Sequence, residues 1–458
     1  MLTESLINET VNDHISKNLN DFNYKIIVLD DDPTGTQPVK DLPVYTEWSE
    51  ALIEDGFKQE NNMFYILTNS RALNEVETTE LHQEISHHIA SVSRKLDHPY
   101  IIISRGDSTL RGHFYLEPKV LSEASNETFD AVFYLPAFFE GNRYTYQGIH
   151  YLKEEGRYIP VSESEFANDT TFGFDSETMA SFIEEKSDGE INAKDVKRIS
   201  LTQIRERDTL GIENVLNEVS HFDAVVVDAL NDEDMNYFAT CLTAFLNKNE
   251  KRFMFRTAAS FVKAMCQTPG EIINLKNYSD QNHGGLIIVG SHVKKTSAQL
   301  NDLIVNSNIN AVEFDVKAVT SNHLQSYIDD QIVKVSELIH SGKDVVVYTS
   351  RDVIKTEDLS NNLSISTNIS NALVEIVKGL TIKPQFIIAK GGITSSDVAT
   401  KGLGIKKAQV IGQITQGVPV WLTGEEAKYN KMPYVIFPGN IGEVDTLTEV
   451  YKMNSNEL

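Results

Sequence analysis

The sequence predicts an α/β protein built as two α/β domains with largely parallel sheets and an interdomain cleft. Three observations predict it. Short apolar runs alternate with helical patterns almost from end to end, the mark of α/β architecture. The chain has 458 residues, more than one ordinary core organises. A stretch of mixed polar residues, Pro269–His283, separates two such series and reads as a linker, giving domains over 1–268 and 284–458.

In the first series, strands are expected at Lys25–Leu29, Met63–Leu67, Tyr100–Ile103, Ala131–Leu135 and Ala224–Val227. Helical patterns fall between them, such as Glu75–Leu96, polar with a spaced apolar stripe. The segment Ser162–Ser187 is rich in polar and acidic residues and reads as a surface excursion. In the second series, strands are expected at Leu286–Val289, Ala311–Phe314, Asp344–Tyr348 and Gln385–Ala389, with less regular, antiparallel candidates near Gln409–Ile414 and Tyr434–Phe437. Lys295–Val305, Tyr327–His340 and Asn368–Lys378 supply helices. A cleft between two such domains is where small ligands usually bind.

Composition excludes several functions. Lys plus Arg number 41 against 66 Asp plus Glu, a net charge of −25 that repels nucleic acid and anionic membranes. No apolar run approaches the ~20 residues that span a bilayer. No basic start followed by an apolar stretch reads as a signal peptide. Cys241 and Cys266 are too few for a disulfide framework or a cysteine zinc site. The expectation is a cytoplasmic protein in which any group of arginines has a local reason.

In α/β sheets ligands gather at the carboxyl ends of parallel strands. Those ends read Asp30-Asp31-Asp32, Thr68-Asn69-Ser70-Arg71, Ser104 through Thr109, and Pro136 through Arg143. A turn or helix cap explains one or two of the aspartates, but three adjacent carboxylates raise one another's pKa or demand cations. Arg71, Arg105, Arg111 and Arg143 lie in the same set of loops, and guanidinium groups bind carboxylate or phosphate bidentately. They either receive a small anionic substrate or neutralise the aspartates, and the two readings are compatible.

The pattern Asp30-x-Asp32-x-Thr34 after an apolar strand also fits the first motif of haloacid-dehalogenase-type phosphatases, and Thr68-Asn69 their second. The required late acidic pair is missing. Arg111 stands where the further Asp belongs, and Arg cannot bind a metal.

In the second half there is no Walker motif. Three strand–glycine–helix junctions stand instead: Gly290-Ser291, Gly391-Gly392 and Gly439-Asn440 with Gly442. Glycines let backbone approach a phosphate closely, and helix N-termini attract it. Together they point to a nucleotide phosphate site.

With these residues assembled, the sequence resembles the four-carbon acid sugar kinase family from about Lys25 to the last helix. The resemblance rests on DDPTG (Asp31–Gly35), TNSR (Thr68–Arg71), DSTLRG (Asp107–Gly112), PAFFEGNRYT-x-x-G-x-HY (Pro136–Tyr151), GS (Gly290-Ser291), GGIT (Gly391–Thr394) and PGNIG (Pro438–Gly442). Relatives often carry Leu for Pro33 and Lys for Arg105, and TAASFV (Thr257–Val262) marks a subgroup. The resemblance implies an N-terminal substrate-binding domain, a C-terminal nucleotide-binding domain, and ATP-dependent phosphorylation of a terminal hydroxyl on threonate, erythronate or a 3-oxo relative. ATP is expected at Ser291, Gly391, Gly392, Ile393, Thr394 and Gly439, with Asn440 adjoining. The substrate is expected at Asp31, Thr34, Arg71, Arg105, Ser108, Thr109, Arg111 and Arg143. Asp32 is the expected base, with Asp107 its rival. Mg²⁺ is expected on the nucleotide, with no protein ligand assigned. The partners implied are a sugar acid and ATP, without nucleic acid or membrane; a homo-oligomer stays open. The phosphatase and a non-catalytic sugar-acid sensor are the alternatives.

Overall fold

The computed structural model describes residues 2–9, 19, 21–279, 282–291, 293–350 and 359–455, with 359–367 by backbone alone. Asp280 and Gln281 of the linker stretch, and His292 of the first glycine junction, lie outside the described residues. Two compact units emerge: Met1–Pro38 with Glu47–Pro269, and Val39–Thr46 with Gly270–Leu458.

The strands in chain order are β1 (Lys25–Asp30), β2 (Leu42–Tyr45), β3 (Met63–Leu67), β4 (Tyr100–Arg105), β5 (Ala131–Leu135), β6 (Arg143–Tyr146), β7 (Ile149–Glu154), β8 (Arg157–Pro160) and β9 (Lys197–Ile199). They continue with β10 (Asp223–Val227), β11 (Phe253–Thr257), β12 (Leu286–Val289), β13 (Asn310–Phe314), β14 (Val345–Thr349), β15 (Ile387–Lys390), β16 (Lys407–Thr415), β17 (Val418–Thr423) and β18 (Pro433–Phe437).

In the first unit the strands run in the order β3-β1-β4-β11-β5-β10-β9, every neighbouring pair parallel. Helices cover such a sheet on both faces, so its strands read as continuous apolar runs; all six residues of β1 are buried. The chain passes from β1 to β3 on one side and then to β4 on the other. The crevice at the carboxyl ends of β1 and β4 is therefore a topological switch point. The helix Glu75–Leu96 that makes this crossing starts with a reciprocal cap between Asn74 and Glu77. Beyond β5, strands β6, β7 and β8 form a small antiparallel sheet.

The second unit has the order β13-β14-β12-β15-β18-β17-β16-β2. The strands from β13 to β18 are parallel to their neighbours, and β17, β16 and β2 add antiparallel pairs. Here the switch point lies between β12 and β15. The core combines Ile287, Val289, Ile388 and Val435 of the sheet with Leu300, Leu303, Leu447 and Tyr451 of two helices.

Two expectations are corrected. Ser162–Ser187 is not a surface excursion, because Ala167, Phe174, Met179, Phe182 and Ile183 are buried against Phe114, Val132 and Tyr134. Its acidic residues mask an apolar face spaced too irregularly to read as a helix. Tyr434–Phe437 lies in β18, which is antiparallel only to β17 and parallel to β15; the antiparallel expectation holds for Gln409–Ile414. Strands β2, β6 to β9, β11 and β17 were not anticipated. Most are short or lack period-two alternation. Within the stretch read as a linker, Ile272 bridges to Gln413 and Leu275 is buried in the second unit's core.

Phe182 packs edge-on against Phe114 and Phe174, with ring centroids 4.7 and 4.8 Å away. Replacing it by Ala is expected to destabilise the protein by about 3–5 kcal/mol in urea unfolding. A cost below 1 kcal/mol would return this segment to the surface.

Candidate active site

The site in the first unit is built from β1 outward. Asp30 ends the strand, Asp31 follows, and Asp32 caps the short 3-10 turn Pro33–Thr36 by accepting from Thr34 N at 2.9 Å and Thr34 Oγ1 at 2.5 Å. The end of β3 folds onto this turn: Thr68 donates through both N and Oγ1 to Asp30 O, each at 2.9 Å. Asn69 then takes a left-handed conformation (φ 52°), which Asn tolerates better than most residues, and reverses the chain. Arg71 arrives over the aspartates. Its Nη2 and Nε donate to Asp31 Oδ1 and Oδ2 at 2.5 and 3.2 Å, and Nη1 reaches Asp32 Oδ2 at 3.4 Å.

Beyond β4, Arg105 Nη1 donates to Asp30 Oδ1 at 3.2 Å. The loop Asp107–Gly112 turns through Leu110 at φ 67°, a conformation costing a bulky residue about 1–3 kcal/mol. Burial of Leu110 in the core beside Phe114 offsets that strain. Thr109 Oγ1 and Arg111 Nε both donate to Asp107 Oδ2, the second at 2.7 Å, so the motif closes on itself. His150 of β7 joins the small sheet to this loop, its Nε2 donating to Ser108 O at 2.8 Å. Arg143, the first residue of β6, donates from Nη1 to Gly141 O.

Two buried residues that sequence reasoning missed underlie the cluster. Arg256 of β11 pairs through Nη1 with Glu117 and donates to Ser104 Oγ at 2.8 Å, and its Nη2 lies 4.0 Å from Asp31 Oδ2. Glu117 also accepts from Ser70 Oγ at 2.7 Å and Ser104 Oγ at 2.8 Å. The result is an alternating line of charge, Glu117–Arg256–Asp31–Arg71–Asp32. A Cβ at Gly106 would overlap the Arg256 guanidinium, and one at Gly35 would overlap the Asp30 carboxylate. Nothing in a strand reading FMFRT marks its Arg as a site residue; only its burial does.

These surroundings separate the carboxylates. Burial pushes Asp30 up to about 7 despite Arg105. Burial alone would raise Asp107, but Arg71 and Arg111 hold it far below the ordinary carboxylate range. Burial likewise opposes ionisation of Asp32, and Arg71 with the Thr34 donors overcomes it and keeps Asp32 below its usual value. Exposure separates them too: the Asp32 side chain is 22% exposed, Asp107 14%, and Asp30 and Asp31 1% each.

In the second unit the strand ends of β12, β15 and β18 converge at the switch point. Gly391, at φ 114°, approaches so closely that a Cβ there would lie 3.0 Å from Ser291 Cβ and 3.4 Å from Thr394 Oγ1. A Cβ at Gly439 would lie 3.5 Å from Ser291 Oγ. Thr296 Oγ1 donates to Gly439 O at 2.8 Å, and Gln299 Nε2 donates to Ile441 O and Glu443 O, tying the PGNIG loop to the helix Lys294–Asn306. Ser291, Gly391, Thr394 and Gly439 are thus brought together. Gly392 and Ile393 open the next helix, with Ile393 67% exposed, and Asn440 lies exposed in the loop.

Lys390, also missed, ends β15 fully buried. Its Nζ donates to Pro438 O at 2.8 Å and sits 4.0 Å from the Phe437 ring centroid. Burial, with help from Lys295, lowers it to about 7, and among the described residues no carboxylate pairs with it. No three His, Cys, Asp or Glu side chains among the described residues form a metal cluster.

Asp30 makes a pH prediction. Its folded pKa lies above the ordinary 3.8, so it favours folding below about pH 4, and that contribution is lost as pH rises through about 7. The stability of Asp30→Asn relative to the parent should therefore climb between pH 4 and 7. Chemical denaturation across that range checks it, and a flat difference would contradict the assignment.

Comparison with known proteins bears on both sites. Residues 26–265 match the family model of a sugar-binding N-terminal domain, and residues 286–447 that of a nucleotide-binding C-terminal domain. No curated protein matches the chain in sequence. A Haemophilus influenzae protein described by a domain family of unknown function (DUF1537) superposes with TM-score 0.62 at 16% identity, covering 93% of this chain and 99% of its own. A Salmonella typhimurium LT2 protein provisionally described as a tRNA synthase gives TM-score 0.65 at 15% identity, covering 93% and 98%. At such identity the likeness shows the fold alone. Among the described residues no helix is long and apolar enough to cross a membrane.

Proposed function

The chain belongs to the four-carbon acid sugar kinase family, and on that premise we propose that it transfers the terminal phosphoryl group of ATP to the terminal hydroxyl of a four-carbon sugar acid. The observation that carries this reading is the presence of two dissimilar sites, each at the switch point of the parallel strands of its own unit. One is an arginine–aspartate cluster in a sugar-binding domain. The other is a set of close-approach glycines and hydroxyls, Ser291, Gly391, Thr394 and Gly439, in a nucleotide-binding domain.

Asp32 is the proposed base. It is the most exposed of the four carboxylates, and its Oδ2 has only the 3.4 Å contact to Arg71. A low pKa suits a proton that leaves late, because phosphoryl transfer depends mainly on positioning and charge stabilisation. Asp107 is the weaker candidate because Thr109 and Arg111 occupy one of its oxygens. Thr34, Ser108, Thr109 and the arginines would supply donors to hydroxyls and carboxylate. Threonate, erythronate and their 3-oxo relatives have the chemistry these groups recognise.

The ATP phosphates would meet the amides at the N-terminus of the helix Lys294–Asn306 and the Gly391–Thr394 turn. Lys390 adds a buried amine with no carboxylate partner among the described residues. Mg²⁺ would arrive on the phosphates, since the described residues offer no three-acid cage, and no step is routed through it. A cytoplasmic location is part of this proposal.

A phosphatase acting through Asp30 is the poorer reading, because that carboxylate is buried and occupied by Arg105. ADP formation across the D and L four-carbon acids tests the kinase: none with any of them would end the proposal. Phosphate release from sugar phosphates without ATP would favour the phosphatase, and binding without turnover the sensor. Asp32→Asn is expected to lower kcat by about 10²–10⁴-fold with ATP affinity unchanged; if only Asp107→Asn does so, the base is Asp107. Lys390→Met is expected to weaken ATP binding about tenfold below pH 7, with the deficit shrinking at higher pH as the parent amine loses its proton. Nucleotide titration at pH 6 and 8.5 reads this directly.

A further inference from the structure

Arg71, Arg105, Arg111 and Arg143, the four arginines of the strand-end loops, are not equivalent. Arg71 is matched by Asp31 and Asp32, Arg105 by Asp30, and Arg111 by Asp107, with Asp169 at 4.0 Å. Each of these guanidinium groups already has a carboxylate, so an incoming anion gains less from it. Among the described residues Arg143 has no carboxylate partner. Its Nη1 donates to the neutral Gly141 carbonyl, and its buried Nε has no hydrogen-bond partner. Burial lowers its pKa, the mark of a charge insufficiently compensated by its surroundings.

The residue is half-buried, and a partly desolvated guanidinium without a paired carboxylate is costly unless something compensates it. Holding the Gly141 turn does not need a full charge; a neutral donor would serve. The position is also defined. Arg143 begins β6, Thr145 of the same strand hydrogen-bonds His150 Nδ1 at 3.0 Å, and His150 Nε2 donates to Ser108 O of the Asp107–Gly112 loop. Burial drops His150 to about 4, so this link is neutral at ordinary pH and adds no second positive charge beside Arg143. Asp107 is near enough to favour the charged Arg143, and Arg111 near enough to oppose it.

We propose that Arg143 receives the carboxylate of the substrate and so selects four-carbon acids over the corresponding neutral polyols. The inference rests on the sugar-acid reading above and assigns one residue to one end of the ligand. Arg71, Arg105 and Arg111 then serve chiefly to balance the aspartates.

Calorimetric titration without ATP tests it, using threonate and erythronate against the neutral polyols threitol and erythritol. The parent protein is expected to prefer the acids. Arg143→Gln should lose about tenfold to a hundredfold in acid affinity while polyol affinity, which also reports an intact site, stays unchanged. Arg143→Lys, which keeps the charge but loses the fork, should recover part of the preference. If Arg143→Gln retains the full preference for acids, the assignment is overturned and the sugar-acid reading stands. If the parent binds the acids no better than the polyols, the sugar-acid reading itself fails.

Discussion

Placing carboxylates at the buried end of a parallel strand constrains the whole sugar-binding unit. Asp30 and Asp31 are almost fully removed from water. An ionised carboxylate in such a place must be paired or give up its charge. The fold does both. Asp31 lies between Arg71 and Arg256, and Arg256 is in turn fixed by Glu117, while Asp30 has Arg105 and a pKa near neutrality. Each of these partners comes from a different element, so the charge balance also welds β1, β3, β4, β11 and the helix Leu116–Ala124 together. Truncating one member of such a set costs more than the set contributes, because it strands a buried charge. The same crowding explains why Gly35 and Gly106 have no room for a side chain.

The nucleotide-binding unit answers a different problem with different means. Among the described residues, the groups that meet at its switch point are mostly uncharged. Backbone amides, small hydroxyls and glycines form the surface, and helix Lys294–Asn306 holds the opposite loop through Thr296 and Gln299. This is what a polyanionic, shape-defined ligand requires, since amide dipoles are fixed in advance and need no counter-ion of their own. Lys390 is the exception, a buried ammonium held by one carbonyl.

Much of this was legible before folding. Strands Met63–Leu67, Ala131–Leu135 and Leu286–Val289 were readable to the residue because parallel strands buried on both faces are continuous apolar runs. The polar strand ends were legible for the complementary reason: a run of Asp, Arg, Ser and Thr after an apolar strand has no purely structural purpose. What misled was composition. Acidic residues around Phe174 and Phe182 disguised a core segment, and the Arg of FMFRT and the Lys of IIAK passed as ordinary strand residues.

The sequence by itself determined the α/β class, the identity of the strand ends and the arginines gathered there against a net charge of −25. These are local properties, written in periodicity and residue type. Only the tertiary structure decided which cation meets which acid. It matched Arg71 to Asp31, Arg105 to Asp30 and Arg111 to Asp107, left Arg143 with no carboxylate partner among the described residues, and recruited Arg256 and Glu117 from elements that show no motif. Pairing depends on strand order, and β11 enters the sheet between β4 and β5 although it follows both by more than a hundred residues. Periodicity along the chain carries no information about that insertion, so the charge balance becomes readable only once the sheet is assembled.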